Sequence, residues 1–160
     1  MDANDKEIEN LQTRIFLFLF VCITIRAYIA YYAKSVSIDK LPYLGYGALV
    51  IMIGFIYIYI SGSRKTGAEV FGGKIWWDGL RPLHALLYGL FAYHAINKID
   101  YSWKFLAADV YIGLINFFIY HTIEGNFTKI YNPSHRVSSN ILISLTLSFF
   151  IYLGIIIFIS

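Results

Sequence analysis

The sequence predicts an all-α fold, a polytopic transmembrane helical bundle of five spans, and three observations carry that reading. Of 160 residues, 58% are hydrophobic and only 14% are charged, against roughly 25% charged in soluble domains. The apolar residues gather into runs of about twenty, the length a helix needs to cross a bilayer core. Short connectors between the runs hold most of the lysines and arginines.

A polar tail (1–14) precedes a single bundle (15–160) with spans at about 15–33, 43–60, 80–96, 105–123 and 141–159. The tail is locally acidic (Asp2, Asp5, Glu7, Glu9). It lacks the basic region and small-residue cleavage site of a signal peptide, so the first run is expected to remain as a span. That span contains Arg26 and the only cysteine, Cys22. A charge at such depth costs about 2.5–3.5 kcal/mol on insertion scales. No intrachain disulfide can form, and the apolar surroundings of Cys22 predict a buried structural thiol.

The second span is uncharged, and its Gly47 and Gly54 share a helix face that would admit a close neighbour. The connector 61–79 carries Arg64, Lys65 and Lys74 and ends in Trp76-Trp77, amphipathic rings suited to the headgroup level. Its Gly67-to-Ile75 stretch is not a phosphate-binding loop. That motif places Lys directly after the second glycine and Ser or Thr after the Lys, whereas here a further Gly intervenes and Ile follows. Pro82 is expected in the first turn of the third span, where its missing N–H is harmless.

Along the third span Arg81, Ala85, Tyr88, Ala92 and Ala95 form one stripe; along the fourth, Asp109, Gly113, Asn116 and Tyr120 form another. In the fifth, Ser144, Ser148 and Tyr152 recur at helical spacing.

Five spans place the termini on opposite sides. Lys6, Arg14, Arg64, Lys65, Lys74, Arg81, Lys129 and Arg136 fall on one side (side A), and Lys34, Lys40, Lys98 and Lys104 on the other (side B). The cytoplasmic side holds the excess, which predicts a cytoplasmic amino terminus. The sequon Asn126-Phe-Thr128 would then be cytoplasmic and unused.

Two polar layers follow from counting along the helices at about 1.5 Å per residue. Arg26, His94, Asp109 and Asn116 form an intramembrane cluster in the side B half, with Arg26 and Asp109 expected to pair. Arg81, His84, His121 and Glu124 gather at side A. Intramembrane ionisable groups mark sites or paths, yet a single buried pair is equally a device that specifies helix pairing. No HxxxH or HxxH spacing exists, and three convergent ligands for zinc are not apparent. A haem held between His84 and His121 is the one cofactor geometry the spacing admits. No cofactor is expected. Nucleophile elbows and potassium-filter sequence are absent, and the net charge of +3 does not point to nucleic acid.

At Arg64-Lys-Thr-Gly-Ala-Glu69 and Ile75-Trp-Trp-Asp-Gly-Leu-Arg-Pro-Leu-His-Ala-Leu-Leu-Tyr88, with the later Asp109, Gly113 and His121, the chain resembles uncharacterised multi-pass membrane proteins of large DNA viruses and related environmental sequences. The resemblance spans roughly residues 64–121. It implies membrane residence and brings no activity, cofactor or substrate.

Three readings of function remain. The first is a structural or accessory integral membrane protein whose partners are the lipid bilayer and further copies of itself. The second is a small transporter or channel-like oligomer with an Arg26–His94–Asp109–Asn116 path. The third, a membrane redox or lipid enzyme, is the least expected.

Overall fold

The computed structural model describes residues 3–66, 75–130, 146–147, 149–150 and 153–154. Every element assigned among them is helical. Three helices, Lys6–Ser35, Leu41–Ser61 and Asp100–Ile123, are long and apolar enough to cross a membrane. The predicted fifth span, with its Ser144–Ser148–Tyr152 stripe, lies almost wholly outside the described residues.

The first rod runs as α1 (Ala3–Phe16), a π-helical stretch (Leu17–Ile23) and α2 (Thr24–Ser35). The tail is thus helical too, and its Leu11 enters the core. Leu11, Ile15, Leu19, Ile23 and Ala27 are all buried, at a spacing of four. An α-helix turns about 100° per residue, so such a row would drift about 40° at each step. The wider i→i+5 winding of the π stretch turns less per residue and holds the row on one face.

After the turn at Val36–Lys40 comes α3 (Leu41–Ser61), opened by Pro42 and closed by Gly62 in the left-handed conformation, as helix ends favour. It is apolar all round, yet only Leu41, Gly45 and Ala48 are buried along it. Tyr43, Tyr46, Val50, Ile53, Tyr57 and Ile60 face outward, a surface at home in lipid.

The next helix, α4 (Arg81–Ile96), has 16 residues and Pro82 in its first turn. It spans about 24 Å, less than a hydrocarbon core of about 30 Å, so the third span is shorter than a crossing requires. A 3₁₀ turn, Asp78–Leu80, precedes it. The segment before that is tucked into the bundle. Ile75 is buried, and Trp76 stacks on Tyr120 at 5.2 Å while meeting Phe18 and His121 edge-on. Trp76 therefore packs against the bundle as the chain enters α4.

The chain then reverses through Asn97–Ser102 into α5 (Trp103–Ile123), and α6 (Asn126–Ile130) folds back on α1 and α5. The α4–α5 turn is a Schellman closure. Ile99 N–H donates to the His94 carbonyl and Lys98 N–H to that of Ala95, with Lys98 at φ 58°.

The close approach of α3 to α4 is made at Gly45 and Gly89. A Cβ on Gly45 would meet Ile96 and Ala92, and one on Gly89 would meet Met52. Gly47 and Gly54, the sequence's choice for this role, have nothing within 4 Å. Both sit where α3 faces outward, since the uniformly apolar helix carries no pattern to mark its packed side.

One apolar core joins the Leu11–Ala27 row to Ala107, Val110, Leu114 and Phe117 of α5. A second, nearer the Asn97–Ser102 turn, joins Ala30 and Ala33 to Phe91, Ala92, Ala95 and Leu106. Alanine on all three helices lets their backbones approach, as membrane packing favours.

Candidate functional site

Between the two cores α2, α4 and α5 bring three ionisable side chains together. Asp109 of α5 is 1% exposed. Arg26 donates to its Oδ2 through Nε at 2.8 Å and also through Nη2. His84 meets its Oδ1 through Nδ1 at 2.6 Å. Arg26 Nη2 also lies 3.0 Å from His84 Nδ1, and the Tyr88 hydroxyl and Cys22 thiol stand close enough to the guanidinium to interact with it.

Proton accounting fixes the roles. Arginine only donates and an ionised carboxylate only accepts. One ring nitrogen cannot accept from Arg26 and donate to Asp109 together. Asp109 is satisfied when His84 Nδ1 carries the proton and donates, and the Arg26 guanidinium supplies the cation that a buried carboxylate requires.

A cavity of about 560 Å³ opens beside this cluster. Cys22, Arg26, His84 and Tyr88 form its floor, Phe18, Trp76 and Phe117 its walls, and Arg14, Arg64, His121, Glu124 and Asn126 its far end. Cys22 is exposed because it faces this space, and it is not the buried thiol its apolar neighbours predicted. From Arg26 to Arg14 the cavity follows the first helix over twelve residues.

The two predicted clusters are redistributed. Arg26 and Asp109 meet, but His94 and Asn116 stand apart. His94 Nδ1 pairs with the Leu90 carbonyl at 2.8 Å and its ring packs on Phe105 and Tyr101. Asn116 donates to the Ile112 carbonyl at 2.8 Å. Both are absorbed by their own helices, so the Arg26–His94–Asp109–Asn116 path is not assembled.

Of the side A group, Arg81 is buried, pairs with Asp78 and donates to the Arg64 carbonyl at 2.8 Å. It pins the connector. His121 pairs with Asn126 at 2.9 Å, both buried, so the sequon asparagine is occupied inside the fold. Glu124 is exposed at the end of α5.

His84 descends to the floor because short α4 starts deep and the Ile75–Leu80 segment follows it in. Residue counts that assumed a common membrane plane missed this. The available signal was its place beside Arg81, Ala85 and Tyr88 on the inward stripe of α4.

The same geometry removes the haem reading. His84 is level with Asp109, and His121 lies twelve residues further along α5, about 18 Å away along the axis. Two imidazoles so separated cannot bind opposite faces of one iron. Among the described residues no group of His, Cys, Asp and Glu is arranged to hold a metal.

Comparison with protein-family models, with curated proteins and with solved structures returns no match.

Proposed function

We propose that the chain is a multi-pass integral membrane protein with a cytoplasmic amino terminus, acting in an accessory role as a receptor for a small ligand. Three helices long and apolar enough to cross a membrane support the multi-pass reading, and the apolar run at 141–159 is of crossing length. The short α4 completes a fifth crossing only together with the Ile75–Leu80 segment before it. The observation that carries the receptor reading is the cavity itself. Its size falls within the range of small-molecule sites, and it combines mostly apolar walls with a few convergent polar groups.

Beyond the floor, Phe91, Ala92, Ala95 and Leu106 are packed without exposure. Among the described residues the cavity therefore ends at its floor, which favours binding over an open pore.

Cys22 supplies the experiment. In full-length protein in sealed vesicles of known orientation, a charged, membrane-impermeant thiosulfonate should modify Cys22 from side A only. Failure to react from either side would remove the cavity. Reaction from both sides would replace the receptor with a channel or transporter.

A further inference from the structure

We infer that the far end of the cavity takes the phosphate of a lipid between Arg14 and His121, with one acyl chain lying along the aromatic walls. The inference rests on the receptor reading and names its ligand.

Two donors at that end meet no acceptor on a side chain. Arg14, half-buried on the first helix, makes one hydrogen bond among the described residues, from Nε to the Asn10 carbonyl of its own helix at 3.4 Å. No ion pair among those residues includes it, so both Nη groups remain for a ligand. His121 of α5 is 5% exposed, its ring set among Trp76, Phe117 and Phe127. The Asn126 amide Nδ2 can only donate, so His121 Nδ1 accepts it at 2.9 Å and the ring hydrogen stands on Nε2. Nε2 is not one of the unpartnered polar atoms sealed inside the fold, which are Thr24 Oγ1 and Ser102 Oγ. On a ring that lines the cavity, it therefore opens to that space.

Arg14 stands close enough to the His121 ring to interact with it electrostatically, so the two donors converge from different helices. Glu124, the one carboxylate among the described lining residues, is exposed and forms no ion pair with Arg14. Unpaired donors of this kind call for an oxyanion, and a phosphate has enough oxygens to accept from both. Its source follows from the walls. From Arg14 the cavity runs inward past Leu17, Phe18, Trp76 and Phe117, with Phe18 stacked on Phe117 at 4.6 Å. A free phosphate would leave this apolar surface uncovered, whereas an acyl chain covers it. Arg14 also belongs to side A, where bilayer lipids hold their phosphates and basic pockets between helices bind head groups.

Trp76 and Trp77 line the cavity and report occupancy directly. The probe is dibromostearoyl glycerol phosphate, whose bromines quench tryptophan, on the full chain in detergent. Dibromostearoyl glycerol, with the same chain and no phosphate, is the comparison. Saturable quenching by the phosphate lipid, about tenfold or more tighter than by the glycerol lipid, is expected. Arg14→Gln removes the charge at the cost of one long hydrogen bond and should erase that preference. His121→Phe keeps the ring packing, removes the donor and should reduce it. A preference untouched by both variants would overturn the site. Equal saturable binding of the two lipids would overturn the phosphate and leave the receptor standing. Displacement of the probe by glycerol 3-phosphate as readily as by unbrominated phosphate lipid would overturn the acyl chain. Quenching that rises linearly with both lipids would overturn the receptor reading as well.

Discussion

Gly45 faces Ala92 so closely that a methyl group added to it would sit 3.1 Å from the Ala92 carbonyl oxygen and 2.8 Å from Ile96 Cγ1. Backbone and core side chains cannot yield there, so Gly45→Ala should destabilise the bundle by about 1–3 kcal/mol. Gly89→Ala meets only the Met52 sulfur, the end of a flexible chain, and should cost less. Gly47→Ala and Gly54→Ala enter open space and should be neutral or gain up to about 1 kcal/mol of helix propensity. Thermal unfolding in detergent ranks the four. A Gly47→Ala cost equal to that of Gly45→Ala would refute this packing.

The carboxylate of Asp109 divides its oxygens between Arg26 and His84, so its loss strands two partners at once. Asp109→Asn should cost about 3–5 kcal/mol, the range for breaking a buried pair. Arg26→Gln should cost at least as much, because the carboxylate it strands is 1% exposed, whereas the arginine left behind by Asp109→Asn is 15% exposed and its long stem can adapt. The double variant should recover much of the combined loss. Strict additivity in a double-mutant cycle would mean the contact contributes no coupling.

Lys98 holds a left-handed backbone, φ 58°, that glycine adopts freely. It also donates to Asp39 at 2.8 Å, and that hydrogen bond, followed by the lysine's charge, holds the Asp39 carboxyl below its ordinary value. A depressed carboxyl stabilises the fold above its unfolded pKa of about 3.9 and loses that contribution as the pH falls further through the folded value. The pair is well exposed, so its effect at neutral pH should be small. Lys98→Gly should therefore raise stability at pH 7 by up to about 1 kcal/mol. It should also return the Asp39 titration midpoint, followed by NMR, to the ordinary range. A fall in stability would show the ion pair outweighs the backbone.

Side assignment is read most simply with Ser63→Cys and Asn97→Cys, each in a Cys22→Ser background. Both positions are exposed, whereas Ser102 in the same turn as Asn97 is fully buried and would not report. Impermeant reagent outside intact cells should label position 97 and spare position 63. The opposite pattern would invert the topology.

The helical class was legible because it follows from apolar run length, and the Arg26–Asp109 pair because two lone charges in hydrocarbon must find each other. Positions that depend on relative helix height were not. His84 joined the floor through the shortness of α4 and the inward course of Ile75–Trp76. Neither feature is set by hydrophobicity, because a 16-residue apolar run and a longer one look alike at their ends. Gly45 was indistinguishable from Gly47 for a related reason: on a helix greasy all round, periodicity carries no signal. Cys22 was misjudged because an apolar run describes what surrounds a residue along the chain and says nothing of a void across the bundle.

The first helix contains a segment that is wound loosely, and a loosely wound spring carries slack. Tightening Leu17–Ile23 into ordinary α winding would lengthen the rod locally and twist its amino-terminal half relative to Arg26. Leu11 and Arg14 would swing away from the far end of the cavity while the salt-bridged half held still. The winding of this one stretch therefore sets where Leu11 and Arg14 stand around the rod relative to Arg26.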